Sequence, residues 1–478
     1  MSEGLRDPDL PPGAIVQTFV DDGVLRNDGV KLTPASKNPW YVLATVAGEQ
    51  EDVPFIDDEL HARNRRFWNG WMCRGMCDAE RLELAKHMGL SEAELSPLSE
   101  VEVQQLSERF QLAFQSTPPV EVVPKADELI KLSSTYFPKA FSLERCFFAE
   151  SAFFDAAHFV GAVDLSASRF VKSVYVTNAY FSESAFFKQV HLSRGANFLE
   201  VHFGGKADFN SAYFGKEAFF PKARFKRDAD FDAARMLEGA TFFGAHFAGS
   251  VSFQNSHFGE SVDFSNGRFN GTTDFGGARF KGGVPKFFHR KIHQDTSFSD
   301  DPALWPEVTP QNAEEGKRAY TRLRQVAAEI YDPDLEHFFL RQEMRCKARI
   351  ELDKGAWFHW LLFRLYRCLA DSGISVARPF WLLVFFWAFG FACFAGHFDS
   401  GVLADLPPDI QDSRYGAAAG VSFGNLFGFL GINRLYFTDL LRDHSPGGLQ
   451  FVAGLQTVSG VVLLFFLGLG LRNRFRLK

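Results

Sequence analysis

Residues 196–250 read, in successive rows of eleven, ANFLEVHFGGK (196–206), ADFNSAYFGKE (207–217), AFFPKARFKRD (218–228), ADFDAARMLEG (229–239) and ATFFGAHFAGS (240–250). The third and eighth places of each row are large and apolar. The pattern extends outward in both directions, from Phe141 to Gly283, as thirteen rows. The third place holds Phe154, Phe187, Phe198, Phe209, Phe220, Phe231, Phe242, Phe253, Phe264 and Phe275, with Leu143, Leu165 and Val176 in the other rows. The eighth holds Phe148, Phe159, Phe170, Phe181, Phe203, Phe214, Phe225, Phe247, Phe258, Phe269 and Phe280, with Leu192 and Met236 as exceptions. The first and sixth places are mostly small. A partial row, IKLSSTYFPKA (130–140), precedes them.

The apolar spacing alternates between five and six, which fits no 3.6-residue helix. Within each half-row a small residue stands two places before the large one. Residues two apart on an extended chain point to the same side. The small residue and the Phe therefore face inward together, and the Gly, Lys, Asp or Ser that follow form a corner. Stacked coils of this kind make a solenoid whose backbone hydrogen bonds run between coils. Composition agrees: 55 Phe stand against 10 Tyr and 8 Trp, a preference for one ring that a repeated slot of one size explains. Each buried Phe contributes roughly 1.5–3 kcal/mol. Phe231→Ala or Phe242→Ala should then cost about 3–5 kcal/mol, and Asp263→Ala, on the outer face, little.

These rows resemble the pentapeptide-repeat family, in a Phe-centred variant with one extra residue per pair of fives. The resemblance implies a mainly β fold, a right-handed quadrilateral β-helix with two rows to each coil. Thirteen rows would then stack to about 31 Å. Some members of that family imitate DNA toward gyrase, which requires a strongly acidic rod. Residues 141–283 hold fifteen Asp plus Glu and fifteen Lys plus Arg. That balance counts against a gyrase-binding DNA mimic. The mild net charge of −7 also counts against nucleic acid as a partner.

The seventh place faces outward. It is occupied by Phe147, His158, Arg169, Tyr180, His191, His202, Tyr213, Arg224, Arg235, His246, His257, Arg268 and Arg279. Arg169, His191, His202, Arg224, Arg235, His246, His257, Arg268 and Arg279 form a candidate strip for an anionic protein partner, pH-sensitive through its histidines. The second place holds Asp164, Asp208, Asp230, Asp263 and Asp274. With two rows per coil, the two kinds of column lie on different faces. No catalytic, cofactor-binding or metal-binding residues are expected: the chain carries no nucleotide-binding glycine motif, no GxSxG and no HExxH.

The flanks complete the plan. Residues 1–129 read as a small mixed α/β or α cap for the open end of the solenoid, which spans 130–283. Ser99 and Glu102 form a capping box before a helix near 99–114. The opening MSEGLRDPDLPPG lacks a basic region followed by an apolar run, which predicts a cytosolic start. Residues 284–356 form a linker and helical neck, with helices at 311–331 and 333–353, the second capped by Asp332 with Pro333 in its first position. The stretch WFHWLLFRLYRCLADSG (357–373) mixes aromatic and basic residues, as an interfacial helix on anionic lipid does.

Residues 374–478 form a membrane region. Its spans lie near 380–398 and 449–471, both without formal charge and long enough to cross a hydrocarbon core. Arg364, Arg367 and Arg378 precede the first span, and Arg472, Arg474, Arg476 and Lys478 follow the second. Between them stand six Asp and three Arg. The basic flanks place both termini in the cytoplasm. The expected protein is a non-enzymatic, multi-pass inner-membrane protein of bacterial type. It would act as an anchored scaffold or sensor whose rod recruits a protein partner. The alternative is a homo-oligomeric two-span ion channel gated by the rod, with the apolar segment 415–437 between the spans. That segment lacks the TVGYG filter of potassium channels.

Overall fold

The computed structural model describes residues 15–19, 23–51, 56–114, 123–398, 413–437 and 446–475. They form two compact units: residues up to 307 together with 318–336, and residues 308–317 together with 337 onward.

The first unit is a four-sided β-solenoid. Strands of two or three residues, from Ile130–Lys131 to Thr296–Phe298, lie on four faces. Each pairs in parallel with the strand one coil away, as Ala207 with Ala185 and Ala229. The faces carry sheets of ten, eight, seven and seven strands. Two corners separate the faces in each row. One is a β-turn closed by a bond from the sixth-place N–H to the third-place carbonyl, such as Ala234 N to Phe231 O at 3.1 Å. The fifth place then carries positive φ, the signature of a type II turn. Every row from Arg145 to Gly277 obeys this, yet only Gly244 and Gly277 are glycines. Asn holds the left-handed conformation at Asn178, Asn255 and Asn266, and Arg, Ala, Gln, Glu, Ser and Lys hold it at the rest.

Second-place carboxylates brace the same corners. Asp164, Asp208, Asp230, Asp263 and Asp274 each accept, through Oδ1, the backbone N–H two residues on, at 2.7–3.0 Å. They are Asx turns, which satisfy a backbone donor that the sheets leave over.

Inside, the rings stack along the axis. Third-place rings form one column through Phe198, Phe220, Phe242, Phe264 and another through Phe187, Phe209, Phe231, Phe253, Phe275, with centroids 4.6–5.1 Å apart. The columns meet edge to face, for example Phe220 against Phe231 at 5.6 Å and 88°. Eighth-place rings form columns on the remaining sides, as Phe181–Phe203–Phe225–Phe247. Offset stacking and edge contacts are both favourable for aromatic pairs.

The ladder continues past residue 283. Phe287 stacks on Phe264 at 5.1 Å and Phe298 on Phe275 at 5.0 Å. Both steps span one residue more than the regular repeat, which ends the visible period without ending the fold. The neck read from sequence is also divided. Its first helix is Ala313–Glu329, and residues 318–336 group with the solenoid. There Tyr320 is buried near Trp305, and Arg322 donates to the carbonyls of Phe287 and Arg290. That helix closes the last coil.

The opposite end is closed by the N-terminal segment. Strands β1 (Ile15–Phe19), β2 (Gly23–Arg26) and β3 (Lys31–Pro34) form an antiparallel meander. β3 then pairs in parallel with Thr135–Phe137 and so extends one solenoid sheet. Helices α1 (Pro39–Ala44) and α2 (Asp58–Met72) cover the first coil. Trp68 packs on Phe148 at 5.2 Å and donates to the Phe147 carbonyl. Asn69 accepts from Phe147 N and donates to Arg145 O, taking the place of a missing strand. Helices α3 (Asp78–Met88), α4 (Glu92–Leu95) and α5 (Glu100–Ala113) complete the cap, with the Ser99–Glu102 capping box formed.

α7 (Pro333–Asp353) follows α6 (Ala313–Glu329), with Asp332 accepting from Asp334 N and Leu335 N, and from residue 337 onward it belongs to the second unit. Then come α8 (Trp357–Ala370), α9 (Ala377–Phe398), α10 (Arg414–Leu426), α11 (Ile432–Tyr436) and α12 (Gly447–Phe475). α9 and α12 are long and apolar enough to cross a membrane. α10, about 20 Å long, packs between them. Its Ala417, Ala418 and Val421 bury against Phe394, Phe398 and Leu449. Much of the stretch between the spans expected outside the membrane (399–448) lies beyond the described residues, but 414–437 packs on the long helices.

Candidate docking face of the solenoid

Every Phe of the two ladders is at most 2% exposed. The residues named for the partner strip divide between two faces. Arg169, His191, Arg235, His257 and Arg279 stand on one sheet, with Phe147 and Tyr213 in the same column. His202, Arg224, His246 and Arg268 stand on another, with His158 and Tyr180. The strip is thus two columns, one on each of two faces, as two rows per coil require.

Within each column the rings stack: His191 on Tyr213 at 4.2 Å, and His158 on Tyr180 at 4.9 Å. Stacking buries the imidazoles and changes their charge. Burial, reinforced by neighbouring guanidinium groups, pushes His158, His191 and His202 down to about 4. The same causes lower His246 and His257. The expected pH sensitivity of the histidines is thus moved to lower pH, and at neutral pH the cations are the arginines.

The second column lines a groove of about 410 Å³, walled by Tyr180, His202, Arg224, Lys226, His246 and Asn270. Its ninth places alternate small and large, in the order Gly204, Lys226, Ala248 and Asn270. A Cβ on Gly204 would press to 2.7 Å from the Ser182 carbonyl oxygen, and Ala248 follows two coils later. Arg224, Lys226 and the adjacent Arg268 are exposed and have no carboxylate within 4 Å among the described residues. Three other lysines of the rod pair with a glutamate one coil away: Lys172 with Glu150 at 2.6 Å, Lys222 with Glu200 at 2.8 Å, and Lys216 with Glu238. Arg169, Arg235 and Arg279 of the first column likewise have no carboxylate within 4 Å among the described residues, but only the second column borders this groove, which can take up an anion by charge-assisted hydrogen bonds.

Residues 187–235 and 242–285 match the family model described as pentapeptide repeats, in nine copies. The solenoid is a pentapeptide-repeat rod. No curated protein and no solved structure matches the chain. The matched stretch lies wholly within the ring-stacked coils, and the pentapeptide-repeat rod extends beyond it at both ends.

Two charged residues of the rod escaped sequence reasoning. Arg290 is 2% exposed, donates to the carbonyls of Phe264 and Ala245, and sits 3.7 Å over the ring of Phe269. It terminates one ring column by a cation–π contact, and burial pulls its guanidinium down to about 9. Arg26 donates to the corner carbonyls of Ala156 and Asn178 and pairs with Asp28. Both lie outside the eleven-residue period, so no column position announces them. Cys73 and Cys77, spaced like a ligand pair, differ in environment. Cys73 is buried, which pushes its thiol up to about 12, and Cys77 is exposed. Among the described residues, no group of three His, Cys, Asp or Glu could hold a metal ion.

Proposed function

We propose that the chain is a membrane-anchored, non-enzymatic scaffold whose pentapeptide-repeat rod presents the groove around Arg224 and Lys226 to an acidic protein partner. The observation that carries this reading is a groove of about 410 Å³ lined by Arg224 and Lys226, with Arg268 beside it, whose cations have no carboxylate within 4 Å among the described residues. The anchor is α9 with α12. Trp381, Phe385, Phe451 and Phe465 are 60–72% exposed on them. An apolar surface of that kind needs lipid or another apolar cover. The proposed location is the bacterial inner membrane, with both termini in the cytoplasm.

The test is direct binding. The full chain, in detergent, is titrated with a fluorescent polyglutamate peptide and with a neutral peptide of equal length. Wild-type binding should favour the acidic peptide and weaken with salt. The double variant Arg224→Glu, Arg268→Glu should lose it. Equal binding by the variant overturns the docking face.

One observation favours the second reading, an oligomeric channel. α10 is too short to cross a bilayer, enters between the two long helices and returns through Gly428–Leu430 and α11. That is the course of a re-entrant segment, which is tolerated at membrane depth only against protein or a water-filled cavity. The detergent-corrected mass of the full chain separates the two readings. A monomer excludes a pore, because two spans cannot enclose one, and a tetramer or pentamer justifies flux measurements.

A further inference from the structure

The second unit holds another cationic site, on α7 and α8 immediately before the first long apolar helix. On α7, Arg345 and Arg349 are one helical turn apart. On α8, Trp360, Phe363, Arg364 and Arg367 follow helical spacing along one face. The two faces line a common cleft of about 270 Å³.

The charges of this cleft are unbalanced, and their neighbours are not. Lys347 pairs with Glu343 at 2.6 Å, and Arg341 with Asp371 at 3.3 Å. Arg345, Arg364 and Arg367 are exposed with no carboxylate within 4 Å among the described residues. Arg349 has Asp353 at 3.5 Å, but its Nε is buried without a hydrogen-bond partner. Arg364 is held over the Trp360 ring at 5.2 Å. Four guanidinium groups thus converge on a small space with an aromatic wall. Elsewhere on the same helix, Trp357, Phe358, Leu362 and Leu365 are 45–66% exposed. Such a helix lies at a bilayer surface with its apolar side chains among the acyl chains and its cations at headgroup depth.

We propose that the Arg345–Arg349–Arg364–Arg367 cleft binds a phosphate group, supplied by the headgroup of an anionic glycerophospholipid. The inference rests on the membrane reading given above. Guanidinium forks match phosphate oxygens in geometry as well as charge. The small volume suits a phosphoglycerol headgroup. Bound there, the lipid would fix α8 against α7 at the membrane surface.

The experiment is native mass spectrometry of the full-length chain in detergent, titrated with phosphatidylglycerol and with phosphatidylcholine. Wild type should retain phosphatidylglycerol in preference to phosphatidylcholine. The triple variant R345Q/R364Q/R367Q should bind phosphatidylglycerol at least tenfold more weakly. The single variant R364Q should lose part of that affinity, and K354Q, an equal loss of charge outside the cleft, none. Displacement of the lipid by millimolar inorganic phosphate or glycerol 3-phosphate would confirm the phosphate chemistry and assign a soluble source. Resistance to both assigns the lipid. Unchanged binding by the triple variant, equal loss in K354Q, or no preference between the two lipids overturns the proposal. Alkaline extraction of cell membranes tests the membrane reading separately. A chain that stays in the pellet while the triple variant binds normally sinks the phosphate site alone. A chain released into the supernatant sinks the anchor.

Discussion

At the scale of single residues, inward and outward places differ in cost, but the outward ones are not idle. Phe231 has no exposed surface and touches rings above, below and beside it. Phe231→Ala should cost about 3–5 kcal/mol through lost transfer energy and an unfilled cavity. Asp263 sits on the outer face, where a small effect is the expectation from position alone. Its Oδ1 accepts the Ser265 N–H at 2.7 Å, so Asp263→Ala should cost about 1 kcal/mol. A denaturant series reads both, and equal losses contradict the assignment of faces. The histidines set a pH dependence of defined sign. His158 and His202 have folded values near 4, against about 6.5 when unfolded. Above that unfolded value both states are neutral and the two residues exert no pH effect. As pH falls through the interval from about 6.5 to 4, the unfolded chain binds protons that the fold refuses, and stability declines. The pair His158→Gln, His202→Gln should flatten the midpoint-against-pH curve over that interval. Parallel curves would remove the histidines as its cause.

Elements of this fold are corners and columns, and their legibility differs. The columns were readable because Phe recurs at fixed places over thirteen rows and few other structures impose that period. The corner conformation was not, because Ala233, Lys222, Glu200 and Gln189 are residues that ordinarily avoid positive φ. There the stacked ladder overrides local preference, holding each corner between the coils above and below. Relieving the strain is a test of that account. Ala233→Gly should leave stability unchanged or raise it by about 0.5 kcal/mol, since glycine removes the left-handed penalty but adds entropy to the unfolded chain. Ala233→Val should lower it by more than about 1 kcal/mol. If valine is tolerated as well as glycine, the turn is not the constraint. Past residue 283 the one-residue insertion hid the last coil, and so hid Arg290 and the closing role of α6.

The helical element carries a feature that the sequence announces. Gln456 stands on α12 in an otherwise apolar stretch, a place where a polar residue marks helix contact more often than an ion path. It is fully buried. Its amide donates to Phe386 O at 2.8 Å and to Ser422 Oγ at 2.7 Å, and accepts from Asn425 at 3.1 Å. Ser422 in turn donates to Trp387 O at 2.7 Å. The network ties α10 to both long helices. Glycines allow the approach: a Cβ on Gly460 would overlap the carbonyl oxygen of Leu426. Gln456→Leu should cost about 1–2 kcal/mol in a detergent unfolding assay, the range for hydrogen bonds between helices in lipid. Thr457→Val, whose hydroxyl bonds only within its own helix, should cost less. Equal effects would mean that the network does not hold α10.

For the whole molecule, the decisive quantity is the side of the membrane on which the rod lies. In the proposed topology α9 and α12 are the two crossings among the described residues, because α10, a helix of about 20 Å, cannot add a third. That topology puts the rod and the C-terminus in one compartment. Basic residues choose which one: Arg364, Arg367 and Arg378 stand before α9, and Arg472 stands at the end of α12, followed in sequence by Arg474, Arg476 and Lys478. The connection between the long helices carries twice as many Asp as Arg. Lysine and arginine near span ends remain in the cytoplasm, and acidic residues contribute little to the choice. Reporter fusions at the C-terminus and after Asp405 should therefore give opposite signals, with the C-terminal reporter active only as a cytoplasmic enzyme. Replacing Arg364, Arg367 and Arg378 by Gln, while adding lysines to the connection, should weaken or invert that pattern. A C-terminal reporter active outside in the unaltered chain would put the rod, its groove and the arginine cleft on the wrong side for a cytoplasmic partner.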